Sequence, residues 1–298
     1  MPLRYLTAAD VTAAMPPLEE RLALAETTLR GLAGGAELPP KIGVHPREPG
    51  SFGHAMPAYL PSEDATWAAV LDALLPEWDR HAAPVALRGL DRLRLDRARV
   101  PQLREITERL VAWSGFRFEA VPGLVPKDEF FGGLAEGRFL STQYVRDPAT
   151  PLYTPEPDVI HEVIGHAHLV SDGGLASLHR AAGQAMGRLD DPGARQFVAG
   201  VFWFSVEFGV VREAGAWKAY GAGLLSSYGE LGSFADRARI TPLDIAAMGT
   251  VPYDITRYQP RLFGADSMEE VLAVVGGFFT TCTDESIAAL RRAAPVTP

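Results

Sequence analysis

Residues 197–211, FVAGVFWFSVEFGVV, are apolar on nearly every side of a helix yet contain one carboxylate, Glu207. Its helical neighbours three and four positions away are Trp203, Phe204, Val210 and Val211. Such a stretch has to lie in the core, because it keeps no polar face for water. An unpaired carboxylate buried there costs several kcal/mol or takes up a proton. The fold must therefore supply Glu207 with a partner: a buried arginine, a hydrogen-bond network or a metal ion.

The histidines favour the metal. Four of the seven fall between positions 161 and 179, three of them within PEPDVIHEVIGHAHLVSD. His161 and His166 are five apart, roughly 140° around a regular α-helix. Zinc peptidases instead space two ligands four apart on one helical face, and here that position is Gly165. Ligands five apart can still reach one ion near a helix end, and Gly165 leaves room for a close approach. Two histidines with Glu207 would hold a metal and leave one face open, the pattern of Fe(II) oxygenases that admit O₂. Structural zinc closes all four positions, usually with thiolates, and Cys282 is the only cysteine. Glu162 is either a surface carboxylate or a proton-handling group beside the metal. His168 is expected to support a ligand from behind or to lie partly exposed. His45, His54, His81 and His179 are given no role.

The rest of the chain reads as helices between Pro/Gly breaks. Residues 18–32 carry Leu22, Leu24, Leu29 and Leu32 among charges and stop at Gly34. Residues 37–60 hold Pro39, Pro40, Pro46, Pro49 and Pro57 with Gly50 and Gly53, an irregular connector. Ser62, Glu63 and Asp64 start a helix running through Trp67 to Trp78. Residues 100–113 form another, with Leu103, Ile106, Leu110 and Val111 on one face. Short β-like runs and turns occupy 116–153. Helices return at 157–170, 175–186 and 196–211, followed by a glycine-rich turn segment at 221–229, strand-like pieces and a last helix at 284–293. The expected fold is mainly α, a single compact helical domain with a few short β-strands. A helical or irregular extension, 1–59, precedes a catalytic unit, 60–298, with no separate regulatory or tetramerisation domain.

Composition excludes several functions. A net charge of −9 and no basic stripe argue against a nucleic-acid partner. A single cysteine rules out an intramolecular disulfide. The opening MPLRYLTAAD lacks a signal-peptide pattern. The weakly charged stretches at 197–211 and 271–282 fall short of the roughly 20 residues of a bilayer span. A cytoplasmic protein without a membrane partner is expected.

Three motifs, TPEPDVIHEVIGHAHLVSD, FWFSVEFGVV and AYGAGLLSSYGEL, resemble the tetrahydropterin-dependent aromatic amino acid hydroxylases. Upstream, SGFRFEAVPGLVPKDEFFGGLA and RFLSTQYVR follow that family's pattern in order and spacing. Weaker echoes reach back to EDATW and VPQLREITERL and forward to ITRYQP. The resemblance implies the family's catalytic fold and its cofactors, Fe(II) and a tetrahydropterin, with O₂ as co-substrate. It implies His161, His166 and Glu207 as iron ligands. Val121, Gly123, Leu124, Val125, Phe130 and Glu162 match the pterin pocket, and Glu162 and Phe202 stand beside the reacting centre. Arg146 matches a substrate-carboxylate clamp, suited to the guanidinium fork. Thr154, Gly223 and Ser226 match polar contacts to the substrate, and Pro157, Trp203 and Phe208 match the walls around its ring. Four positions depart from the family: His168 stands where proline is common, Phe202 where tyrosine is frequent, Leu140 in place of a histidine, and Lys127 in place of a small polar residue.

The function implied is ring hydroxylation of a free aromatic amino acid. Bulky Trp203 would crowd an indole and Ile255 is apolar, which together favour phenylalanine; conversion to tyrosine is the expected reaction, although residue types alone do not give the ring position. Tryptophan, tyrosine and meta-hydroxylation of phenylalanine are the alternatives within the family. Outside it stand a zinc hydrolase, disfavoured by Gly165, and a metal-binding homologue without catalysis. Residues 291–298 show no heptads, and a monomer or weak dimer is expected.

Overall fold

The computed structural model describes residues 57–154, 156–255 and 257–293. The helix expected at 18–32, most of the connector at 37–60, His45 and His54 lie outside them.

Helix α1 (Pro61–His81) opens with Pro61 in its first turn. The Glu63 carboxylate accepts the Leu60 N–H at 2.6 Å, and Glu63 and Asp64 set negative charge at the positive end of the helix dipole. Trp67, Val70, Leu74 and Trp78 form its buried side. Helices α2 (Pro84–Leu93) and α3 (Leu103–Trp113) follow. Leu103, Ile106 and Leu110 of α3 are buried as expected, whereas Val111, one residue past the core-facing row, is 48% exposed.

The segment read as strands and turns contains a helix. Strands β1 (Arg117–Ala120) and β2 (Arg138–Ser141) pair in parallel with Phe118 opposite Phe139. A parallel pair needs a crossover, and α4 (Lys127–Ala135) supplies it, with Asp128 and Glu129 in its first turn.

The centre is built from two π-helical segments, π1 (His161–Ala167), which runs on into one α-turn at His168–Val170, and π2 (Trp203–Glu207). Between them lie α5 (Gly173–Arg188), capped by the Asp172 side chain, and α6 (Pro192–Phe202), capped by Asp191. The run expected as one helix over 196–211 thus divides: α6 passes into π2, and the chain leaves it as strand β3 (Val210–Glu213). Gly209 permits the break, since a Cβ there would lie 2.2 Å from both the Ser205 carbonyl oxygen and the Tyr220 ring.

Strand β3 turns back into β4 (Ala216–Ala219) through Ala214 and Gly215, both at positive φ, as a tight hairpin demands. With β5 (Arg239–Pro242) and β6 (Arg261–Ala265) they form a sheet in the order β4-β3-β6-β5. Helices α7 (Ala222–Leu225), α8 (Tyr228–Leu231), α9 (Phe234–Arg237) and α10 (Ile245–Thr250) fill the intervening chain. Helices α11 (Met268–Thr281) and α12 (Asp284–Ala293) close the described structure. The fold is mainly α with short strands. No helix among the described residues is long and apolar enough to cross a membrane.

Candidate active site and metal centre

The five-residue histidine spacing, awkward on an α-helix, suits the segment that carries it. In a π-helix the backbone bonds run i to i+5, so residues five apart become near neighbours on one face. His161 and His166 open and nearly close π1, and their Nε2 atoms lie 3.2 Å apart. Glu207 ends π2 and brings its carboxylate to 3.1 Å from His166 Nε2 and 3.9 Å from His161 Nε2. Its side chain is 13% exposed, because it faces a cavity rather than packed core.

The tautomer of His161 is fixed from behind. Ser226 Oγ donates to the Ala222 carbonyl at 2.8 Å and lies 2.8 Å from His161 Nδ1. With its own proton committed, the hydroxyl accepts the Nδ1 proton, leaving the Nε2 lone pair directed at Glu207 and His166. Gly165 lets π1 sit against α7, since a Cβ there would come within 2.9 Å of the Ala222 carbonyl oxygen. The donor set therefore fits a divalent metal: two imidazole nitrogens with one carboxylate, a set that leaves part of the metal's coordination open to other ligands.

Charge separates the two nearby carboxyls. Burial alone would raise Glu207, but the imidazoles of His166, His161 and His179 outweigh it and hold the carboxyl down to about 2. Burial pushes Glu162 up to about 8, with the Glu207 charge adding to the effect and His166 opposing it. Glu162 also brings an oxygen within 4.8 Å of the histidine donors. Glu207 is nonetheless the closer carboxylate and the more acidic of the two. Burial lowers His161 to about 4; in His166 the Glu207 carboxylate overcomes burial and raises it.

These groups line a cavity of about 310 Å³. Gly123, Leu124, Val125, Phe130, Pro157, Phe202 and Trp203 line it too. Phe130 meets Phe139 and Phe202 edge-on, at centroid distances of 5.6 and 6.2 Å. An aromatic ring beside a run of peptide edges at 123–125 fits a flat heterocycle.

The other expected residues stand behind this lining. Val121 donates its N–H to the Ser141 carbonyl at 2.9 Å. Arg146 forms a bidentate pair with fully buried Asp158, at 2.9 Å through Nε and 2.7 Å through Nη2. Thr154 donates to the Glu156 carbonyl at 2.6 Å. The Phe208 ring packs 4.6 Å from that of Trp203, and Gly223 makes space for it, a Cβ there falling 2.8 Å from the Phe208 ring. Ser226, expected at the substrate, holds His161. His168 has moved furthest from expectation: it is fully buried, donates its Nδ1 proton to the Ile164 carbonyl at 2.8 Å, and packs 4.9 Å from Trp78, away from the three donor groups.

Several participants escaped sequence reading. Thr142 reaches Glu162 at 3.5 Å, Phe139 lies 4.5 Å from the His166 ring, and Tyr253 stacks on Trp203 at 4.6 Å. His179, given no role, sits with its ring 6.1 Å from that of His166. Asp158 carried the one available signal, an acid three residues before His161.

Residues 52–286 match the family model described as biopterin-dependent aromatic amino acid hydroxylase. The chain is 47% identical over 232 residues to a phenylalanine 3-hydroxylase from Streptomyces coeruleorubidus, covering 78% of this chain and 83% of that protein. It is 37% identical to the phenylalanine-4-hydroxylase of Bos taurus, covering 75% of this chain and 50% of that protein, and so spans half the length of that relative. A phenylalanine hydroxylase structure from Legionella pneumophila superposes with a TM-score of 0.76 at 27% identity, over 85% of this chain and 98% of that one. One from Chromobacterium violaceum, with bound iron(III) and 7,8-dihydrobiopterin, gives 0.71 at 28% identity, over 89% and 91%. The chain belongs to the biopterin-dependent aromatic amino acid hydroxylases.

Proposed function

We propose that this protein is an Fe(II)- and tetrahydropterin-dependent monooxygenase that hydroxylates the ring of L-phenylalanine. The observation carrying the reading is the convergence of His161 Nε2, His166 Nε2 and Glu207 on one point at the wall of an aromatic-lined cavity. These three would hold iron, and the bound iron and pterin supply the activation of O₂. The protein's work is positional. Phe130 and the backbone of 123–125 would hold the pterin, with Glu162 beside them on the cavity wall. Trp203, stiffened between Phe208 and Tyr253, gives a flat wall that suits a phenyl ring and leaves less width for an indole. Arg146, kept in place by Asp158, would bind the substrate carboxylate. We place the catalytic unit within residues 60–298.

Conversion of phenylalanine to tyrosine, by hydroxylation at the para carbon, is the first reading, and residue types alone do not select the ring position. A second reading, hydroxylation at carbon 3, is favoured by the 47% identity to a phenylalanine 3-hydroxylase. Incubating the chain with L-phenylalanine, Fe(II), tetrahydrobiopterin and O₂, then separating para- from meta-tyrosine, decides between them. Absence of a hydroxylated product from phenylalanine, tryptophan and tyrosine alike would overturn the proposed reaction.

A further inference from the structure

Gln259 is 5% exposed and joins three parts of the molecule. Its backbone N–H donates to Glu230 Oε1 at 2.6 Å. Its side-chain Oε1 accepts the Trp203 indole N–H at 3.2 Å. Its Nε2 donates to the carbonyls of Asp254 and Arg257, each at 2.9 Å. An indole N–H only donates and a peptide carbonyl only accepts, so these neighbours admit one orientation of the amide.

The partners matter because of where they lead. Trp203 lines the cavity, and its ring is stacked on Tyr253 at 4.6 Å with the planes 13° apart. Tyr253 and Ile255 line the same cavity from the loop whose two carbonyls Gln259 binds, and Ile255 is 62% exposed. One buried side chain therefore spans from a wall of the cavity to the loop facing it, while Glu230 in α8 anchors the backbone from which that side chain projects. A buried amide with both donors and its acceptor satisfied specifies one arrangement of its partners.

We infer that Gln259 is a positioning residue that sets the spacing between Trp203 and the Tyr253–Ile255 loop, and so decides which aromatic side chain the cavity admits. The inference rests on the proposed reading of Trp203 as the wall beside the substrate ring. Gln259 itself lies outside the iron-binding group and the pterin-facing loop.

The test compares wild type with Gln259→Leu, which keeps bulk and removes all three side-chain bonds. Hydrogen exchange in the full chain should quicken by about tenfold at amides of 253–258, the effect of one or two lost hydrogen bonds, and stay unchanged in π1. Calorimetric Kd for L-phenylalanine, measured without O₂ on the iron-loaded protein, should rise by about tenfold. The Kd for L-tryptophan should rise less or fall, narrowing the preference. Kd values and their ratio within about twofold of wild type would overturn the inference, even where loop exchange quickens. Unchanged loop exchange would overturn it as well. A wild-type chain that binds phenylalanine but forms no hydroxylated product sinks the proposed reaction, and the Kd ratio still decides the role of Gln259. If Gln259→Leu fails to fold, Gln259→Met, unbranched and of similar length, replaces it in both measurements.

Discussion

Ser226 Oγ accepts from His161 Nδ1 at 2.8 Å while donating to the Ala222 carbonyl at the same distance. One hydroxyl thereby joins the metal-facing imidazole to helix α7 and selects its tautomer. In Ser226→Ala the ring is free to place its proton on Nε2, the atom that has to be bare for a metal. Fe(II) affinity should fall by roughly 10- to 100-fold, the range seen when such supporting bonds are removed. Titration with Fe(II) or Co(II) measures it, and an affinity equal to wild type would show that Ser226 does not orient His161.

The two cavity carboxyls should respond in opposite ways to the same change. Glu207→Gln removes an ionised oxygen 3.1 Å from His166 Nε2, so iron should be lost on gel filtration. Glu162→Gln alters the carboxyl farther from the two imidazoles, so iron should be retained. Metal analysis of both purified variants checks the pair, and the reverse pattern would reassign the ligand to Glu162.

The three converging side chains stand out in the sequence because each breaks a pattern: Glu207 is charged within an apolar run, and His161 and His166 cluster within six residues. Their geometry does not, because α-helical arithmetic puts the histidines far apart and residue type does not announce an i to i+5 ladder. The division of 196–211 was hidden for a related reason. Short apolar runs suit helix and strand equally, and Gly209 gains its meaning only from Tyr220 and the Ser205 carbonyl oxygen closing in around it. Helix α4 was masked by Gly132 and Gly133, although Asp128 and Glu129 mark its start. Pairs such as Arg146–Asp158 and Trp203–Gln259 are products of tertiary packing and leave no local trace.

Glu230 should make the chain less stable as pH rises. Burial pushes its carboxyl up to about 7, against the opposing bond from the Gln259 N–H. Between the ordinary carboxylate value and about 7 the folded state therefore holds a proton that the unfolded state has released. Stability falls across that window, by roughly 3 kcal/mol in all. Glu230→Gln keeps an acceptor for Gln259 and cannot ionise. Urea unfolding at pH 5 and pH 8 should show the variant gaining on wild type at the higher pH. An equal difference at both values would show that Glu230 does not titrate in this window.

The Arg146–Asp158 pair should be costly to break from either side. Asp158 is fully buried and accepts from Arg146 Nε, Arg146 Nη2 and the backbone N–H groups of Arg146 and His161. Asp158→Ala strands a buried guanidinium, a change that costs about 3–5 kcal/mol. Asp158→Asn, which keeps one acceptor oxygen, should lose less. Urea midpoints order the three proteins, and Asp158→Ala within about 1 kcal/mol of wild type would mean that the guanidinium finds solvent or another partner.

Two glycines, each the site of a single added methyl, separate packing at the metal centre from helix propensity. A Cβ at Gly132 in α4 would meet no heavy atom within 4 Å, so Gly132→Ala should stabilise by about 0.4–1 kcal/mol through the unfolded chain alone. A Cβ at Gly165 would meet the Ala222 carbonyl oxygen at 2.9 Å and the Ala222 Cβ at 3.1 Å. Both are fixed atoms of α7 and neither can swing aside, so Gly165→Ala has to push π1 away from α7, at a cost of about 1–3 kcal/mol. The same displacement lengthens the bond from His161 to Ser226, because Ser226 caps α7. Metal affinity should therefore fall in Gly165→Ala and hold in Gly132→Ala. A Gly165→Ala protein that is destabilised yet binds Fe(II) as wild type does would separate the seating of π1 from the orientation of His161.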